Sequence, residues 1–525
     1  MFAGKIHESS NDCPTYRADR LGTEILCKKT NAERKAAGLY FTPTEVAFFM
    51  ADQIIGGRSS LRILEPAAGS GTLLCAAVEH LTLTGKLLRE VEITAYETDP
   101  DLQIALEASL DYLKRWASRR GIRVHATVEK RDFILAQDQI LGTTQQLFHS
   151  AEAESFDVVI ANPPYFKISK CDPRAQGATS VVRGQPNIYA IFMAAGAALL
   201  RHGGELLFIT PRSFASGPYF RLFRERFFAS VRPQNIHVFG SRRDAFSRDE
   251  VLQENIILKG VRDDGWQSRK DGFELLITSS AGLSDLDRPS RRTLAIEQAL
   301  GKAGTDMVLR LPIVKDDDDA ARVVDSWTGS LHRYGLNIST GPVVPFRATE
   351  FLVEAKEAAV GLVPLVWMNH VHAMRVSFPN GTRKPQYIRE SAGERSLLLP
   401  NRNYVLLRRF SSKEEGRRLV AAPWFRSASP CSLVGIENHL NYIHRPGAEL
   451  DEDEALGLAA LLNSKLLDTY FRVSSGNTQV SATELRAMPL PSFDKILSIG
   501  RCARTSVGNL QRLEEIVEQA VGASR

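Results

Sequence analysis

The sequence predicts an α/β fold built on a parallel sheet, followed by a second domain of α+β type. Three observations carry that expectation. Short apolar runs recur through the first half of the chain, and several end in acidic or Asn-Pro residues instead of hairpin turns. The first of these runs enters a glycine-rich turn, Glu65-Pro66-Ala67-Ala68-Gly69-Ser70-Gly71, and a helical pattern follows it. Past residue 330 the apolar runs shorten and are broken by Pro and Gly, the pattern of a β-rich domain.

A chain of 525 residues is too long for one ordinary domain. Its 43% hydrophobic and 24% charged content is that of a globular protein. The net charge is only +5, but it is unevenly spread. Eight Arg fall between Arg212 and Arg248, among very few acids, and a second basic, aromatic-interleaved stretch runs from Arg402 to Arg426. Both suit a phosphate backbone. The six cysteines are scattered without a C-x-x-C pair, so neither a disulfide framework nor a zinc site is expected. The sequence has no N-terminal apolar segment and no apolar run of about 18 residues. A cytoplasmic protein without membrane association is the expectation.

Residues 1–35 are polar without a clear period and read as an arm. Thr42 or Thr44 then caps a helix expected over 44–55, with Pro43 beside its first turn. In the glycine turn, Gly69 and Gly71 allow positive φ and close approach of the backbone to a ligand. Glu65 at the strand end disfavours a pyrophosphate and favours a cationic amine. No G-x-x-x-x-G-K-[ST] pattern is present, so ATP hydrolysis is not indicated. The strand over 92–96 ends at Glu97, where a ribose diol is held in nucleotide-binding α/β folds. Asp99 reads as the cap of a helix over 100–115. A third strand, 124–128, leads to Arg131-Asp132-Phe133, in which Asp132 suits an adenine amino group and Phe133 its ring.

The fourth run, Phe156–Ala161, leads into Asn162-Pro163-Pro164-Tyr165. Two prolines fix φ and remove two N–H donors, but leave both carbonyls free to accept. Asn162 adds a side-chain acceptor and Tyr165 an aromatic plate. Such a rigid set of neutral acceptors suits a planar group bearing an NH2. It contains no evident nucleophile or metal ligand. The chemistry that fits is methyl transfer to an amino nitrogen: N–H acceptors let the nitrogen pyramidalise and recover its lone pair for in-line attack. A strand-ending Pro turn with a capping Asn is the purely structural alternative.

Residues 166–185 lack a period and read as a mobile loop. A helix over 190–200 and strands over 205–210, 236–239 and 255–258 complete the sheet. Phe246, among Arg242, Arg243 and Arg248, suits stacking on an extruded base, with Phe239 as a rival. In the second domain Trp367, His370, His372, Arg375, Tyr404, Arg408, Arg409, Trp424 and Arg426 are candidates for DNA contact. The histidines lack a carboxylate or thiolate at ligand spacing, so no metal is expected. A core helix is expected over 456–471, and an amphipathic helix closes the chain over 505–520.

The order of these motifs resembles the gamma class of amino-type DNA methyltransferases, the N6-adenine enzymes of restriction-modification systems. The match is strong over roughly residues 35–260. Leu462-Asn463-Ser464, Gly476-Asn477-Thr478-Gln479-Val480 and a Pro-Leu-Pro ending resemble the tail of their target-recognition domains. The resemblance implies a class I, Rossmann-like, S-adenosylmethionine-dependent catalytic domain and a C-terminal α+β target-recognition domain. Tyr40, Thr42, Glu65, Ala67, Gly69, Gly71, Glu97, Asp132 and Phe133 would hold the cofactor. Asn162, Pro163, Pro164 and Tyr165 would hold the adenine, with Phe246 as a second stacking face. Arg242, Arg243, Arg248, Arg408 and Arg409 would bind double-stranded DNA. A separately encoded restriction endonuclease is an expected partner. The implied partition is an arm (1–35), a catalytic domain (36–280), an interdomain segment (281–330), a target-recognition domain (331–492) and a C-terminal helix (493–525). Two other readings remain at this point: a methyltransferase for an RNA base or a protein glutamine, and a non-catalytic DNA-specificity subunit. Glu354-Ala355-Lys356 offers only half of a nuclease pattern.

Overall fold

The computed structural model describes residues 12–522 except 31, 35–37, 86, 138–139, 142–155, 241–253, 270–271, 304–305, 355–358, 381–383, 412–415 and 476–478. It divides into two compact units, Met1–Ile313 and Val314–Arg525.

The first unit is organised by one nine-stranded sheet: β1 Ser60–Glu65, β2 Glu90–Tyr96, β3 Arg123–Glu129, β4 Phe156–Ala161, β5 Leu200–Pro211, β6 Val231–Phe239, β7 Asn255–Arg262, β8 Glu274–Ser280 and β9 Ser290–Ala295. The strand order is β3-β2-β1-β4-β5-β7-β6-β8-β9. Strands β1 to β5 run parallel, and β7 is antiparallel to both β5 and β6. The order 3-2-1-4-5-7-6 with a reversed seventh strand is that of the class I S-adenosylmethionine-dependent methyltransferases. Every residue of β4 is buried, because helices cover both faces of the sheet. Val159, Ala161, Leu206 and Phe208 enter one core with the helix Ile188–Leu199. Val158, Ile160, Leu207 and Ile209 enter the other. This is why β4 reads in sequence as one continuous apolar run.

Helices α1 Pro14–Leu26, α2 Thr44–Ala51, α3 Thr72–Thr84 and α4 Pro100–Ser118 serve the second of these cores. The expectation of an arm over 1–35 is therefore corrected for residues 14–26. Ala18 of α1 is fully buried, and Glu79 of α3 accepts from the Thr15 backbone N–H at 3.2 Å. Asp99 caps α4, accepting from the N–H groups of Asp101 and Leu102. Residues 281–330 are not a connecting segment throughout, because β9 pairs with β8 inside the large sheet. The loop read over 166–185 is packed: Ile168, Ala175, Ala178, Val181 and Val182 are all buried.

The second unit combines a four-stranded and a five-stranded sheet with helices. The single helix expected over 456–471 is two, Glu452–Leu462 and Lys465–Ser474. Ser464 caps the second, accepting from the Leu467 N–H. Asn463 grips a neighbouring strand: its Nδ2 donates to Ala421 O at 2.7 Å and its Oδ1 accepts from Ala421 N at 3.2 Å. The chain ends in two helices, Phe493–Ala503 and Leu510–Val521. Trp367, His370, Tyr404 and Trp424 are buried, which removes them as DNA contacts, whereas His372 and Arg375 are exposed. Among the described residues no helix is long and apolar enough to cross a membrane.

Candidate active site

A parallel sheet leaves a crevice at the carboxyl edge where neighbouring crossovers diverge, and here that point lies between β1 and β4. The register pairs Leu64 with Val159, so Glu65 at the end of β1 and Asn162 just beyond β4 reach the same edge. A cavity of about 310 Å³ opens there. Among its walls are ten of the residues picked from sequence: Tyr40, Thr42, Glu65, Ala67, Gly69, Glu97, Asp132, Phe133, Asn162 and Pro164. Gly71, Pro163 and Tyr165 do not line it. Gly71 instead starts α3 at φ +87°, where a side chain would be strained, and an added Cβ would lie 2.9 Å from Leu106 Cδ1.

The cavity is acidic at one end. Glu65 is 2% exposed, and its Oε2 is buried without a hydrogen-bond partner among the described residues. Burial pushes its carboxyl well above the usual carboxylate range, against the opposing backbone hydrogen bond from Leu74, and Glu97 nearby adds to the rise. An orphaned carboxylate of this kind calls for a cation, and the methionyl ammonium of S-adenosylmethionine supplies one. Glu97 is raised too, chiefly by burial. Its Oε2 accepts from Gly69 N at 2.8 Å, and its Oε1 accepts from Thr98 N at 2.7 Å and Asp99 N at 2.8 Å. It therefore ties the glycine turn to the end of β2 while still lining the cavity. Asp132 accepts from Leu135 N at 3.0 Å, and Arg174 Nη1 stands 3.5 Å from its other oxygen. Phe133 stacks on Phe192, with centroids 5.5 Å apart, and meets Tyr96 edge-on at 5.1 Å, forming an apolar wall. Acids for an amine and a diol, together with an aromatic wall for a ring, fit this cofactor.

Asn162 is held on three sides. Its Nδ2 donates to Tyr40 O at 3.0 Å and to Thr42 Oγ1 at 3.1 Å, and its Oδ1 faces the Tyr165 hydroxyl at 2.5 Å. That hydroxyl also lies 2.8 Å from Ile209 O. With both amide protons engaged, the carboxamide cannot flip, and Oδ1 keeps a second lone pair for a substrate N–H. Tyr165 is not an open plate. It is buried, its hydroxyl pKa is driven well up by burial, and its ring meets Tyr189 edge-on at 6.2 Å. Pro163 is buried and Pro164 half-buried.

Sequence reasoning missed Phe41, Phe166, Arg174 and Phe192 among the walls. Phe166 follows the tetrapeptide directly, so adjacency was an available signal. Arg174 had none, since it arrives with the packed segment, where Asp172 holds it at 2.7 Å. Phe246, Arg242, Arg243 and Arg248 lie outside the described residues, as does most of the acid-x-Lys pattern at Glu354. Phe239, the rival to Phe246, is 3% exposed and packs edge-on against His237. Two arginines of the first basic stretch are structural. Arg212 is buried beside Glu254, and Arg224 is fully buried with its guanidinium donating to the carbonyls of Phe214, Gly217 and Met307. In the second unit Arg408 is half-buried and donates to Val371 O at 2.6 Å, and Arg409 donates to Asn438 O at 3.0 Å.

Residues 77–246 match the family model of the Eco57I restriction-modification methylase. The chain is 31% identical over 489 residues to the Type II methyltransferase M.PstI of Providencia stuartii, covering 93% of each protein. It is also 31% identical over 514 residues to the Type II methyltransferase M.BsuBI of Bacillus subtilis, covering 95% of this chain and 96% of that one. These matches span both units, which excludes a specificity subunit without a catalytic domain. This chain belongs to the Type II DNA methyltransferases of restriction-modification systems, and its methyl donor is S-adenosylmethionine.

Proposed function

We propose that the protein methylates the N6 amino group of adenine at one short site in duplex DNA, as the gamma-class modification arm of a restriction-modification system. The observation that carries this reading is the Asn162 carboxamide, locked by Thr42, Tyr40 and Tyr165 at the rim of the cofactor cavity. The free lone pair of Asn162 Oδ1 and the Pro163 carbonyl accept the two N–H bonds of the amine. The nitrogen then turns its lone pair outward. Bound S-adenosylmethionine supplies an electrophilic sulfonium methyl group. Held there, the donor would pass its methyl from sulfur to this nitrogen, with one amino proton going to water and S-adenosylhomocysteine left as product. Glu65 holds the donor's ammonium, Glu97 its ribose, and Asp132 and Phe133 its adenine. An NH2 inside a duplex cannot reach this rim, so the target base leaves the stack.

Arg408, Arg409 and the arginines at 242, 243 and 248 are proposed phosphate contacts, and residues 331–492 the part that reads the site. Phe246 is the proposed stacking face, a role strengthened by the burial of Tyr165 and Phe239. A DNA substrate implies the cytoplasm, and modification of this class implies a separately encoded endonuclease that cuts the same site when unmethylated.

The test is transfer of labelled methyl from S-adenosylmethionine to plasmid DNA, followed by methylation-sensitive sequencing. N6-methyladenine confined to one motif supports the reading. Methylcytosine, or incorporation only into RNA or protein, refutes it.

A further inference from the structure

Asn255 opens β7 at the same sheet edge as the active site. The antiparallel register sets it opposite Pro211, the last residue of β5. Strand alternation decides its face. Ile160, Ile209 and Ile257 share one core. Asn162, two residues beyond Ile160, and Asn255, two before Ile257, therefore turn to the same side. Ala161 pairs with Phe208, so Asn162 stands level with Ile209. The two asparagines are then two strands and two residues apart, about 12 Å at ordinary strand spacing. With the two carboxamides reaching toward each other, the space left between them is of the order that an amino group and a neighbouring ring nitrogen take with one hydrogen bond to each.

The side chain of Asn255 is 3% exposed, and neither its Oδ1 nor its Nδ2 has a hydrogen-bond partner among the described residues. Buried amides are almost always paired, so an unpaired one at the sheet edge that carries the cavity, though not among the cavity's walls, calls for an explanation, and a ligand is one. The proposed chemistry leaves a matching vacancy on the substrate. Asn162 and Pro163 consume the two N6 hydrogens. The ring nitrogens flanking that amine, N1 and N7, are pure acceptors and lose their duplex surroundings on extrusion.

We infer that Asn255 is a recognition residue for the target base, its side-chain N–H donating to an adenine ring nitrogen next to the amino group, N1 or N7. This rests on the adenine reading above and adds the residue that distinguishes the ring, not only its NH2.

The experiment uses the full-length protein and duplexes carrying its mapped site. The target adenine is replaced in turn by 1-deazaadenine and 7-deazaadenine, and single-turnover rates are measured for wild type and Asn255→Ala. The expected result is a loss of roughly 30-fold for wild type on one of the two analogues. Asn255→Ala loses about the same on adenine, and nothing further on that analogue. Which analogue responds identifies the nitrogen. Wild type indifferent to both analogues overturns the inference, without depending on how the variant folds. So do losses that multiply in the variant, and so does a variant of full activity. If wild type forms no N6-methyladenine on any DNA, the adenine reading itself falls. If it forms N6-methyladenine without this coupling, only the role of Asn255 falls.

Discussion

Thr42 Oγ1 accepts a hydrogen bond from Asn162 Nδ2 across a gap of 120 residues in the chain. The loop that enters α2 thus orients the carboxamide at the end of β4. Thr42→Val keeps the shape and removes the acceptor. Expected is a fall in kcat of roughly tenfold that exceeds any loss of cofactor affinity, and recovery in Thr42→Ser. Rapid-quench transfer and equilibrium cofactor binding check this. An unchanged kcat would mean that Tyr40 and Tyr165 suffice to hold Asn162.

Glu65 gives a pH signature. Its folded-state pKa lies well above the ordinary carboxylate value. In the apo protein its stabilising contribution is complete below the unfolded pKa and is lost as pH rises through the folded one. A bound ammonium favours the ionised form, so cofactor affinity of wild type should tighten with rising pH over that window. Glu65→Gln should lose that carboxylate-linked part of the profile and bind about 50-fold more weakly. Its apo form should gain stability relative to wild type as pH rises. Calorimetric binding and thermal melts across pH provide both readouts.

Gly71 tests the glycine turn. Its φ of +87° and the 2.9 Å approach of an added Cβ to Leu106 predict that Gly71→Ala costs about 2 kcal/mol in urea unfolding. Gly121→Ala is the control, because Gly121 has φ +75° but open space around its Cβ position, and it should cost about half as much.

Asn463 tests the second unit. Asn463→Ala leaves the Ala421 N–H without its partner in a buried strand, while the Ala421 C=O keeps the Met374 N–H, at an expected cost of about 2 kcal/mol. Cofactor affinity should be unaffected, since the cavity is built wholly from the first unit. Chemical denaturation and cofactor titration of the same variant separate the two effects.

The sequence by itself determined the catalytic sheet and most of the cavity. A buried parallel strand is a local apolar run, and its carboxyl end is marked by the next few residues. Glu65, Glu97, Asp132 and Asn162 each sit at such an end, so reading the strands also located the residues. Only the tertiary structure decided which polar and aromatic groups stay outside the core. Arg224 and Tyr404 look like surface in a basic, aromatic stretch but are buried. Arg224 is satisfied by carbonyls of Phe214, Gly217 and Met307, partners that its own local pattern does not reveal. The break at Asn463 and the arrival of Arg174 at the cavity have the same origin, because each depends on contacts made by separated parts of the chain. Strand ends are written in neighbouring residues, whereas burial and hydrogen-bond satisfaction are properties of the packed whole.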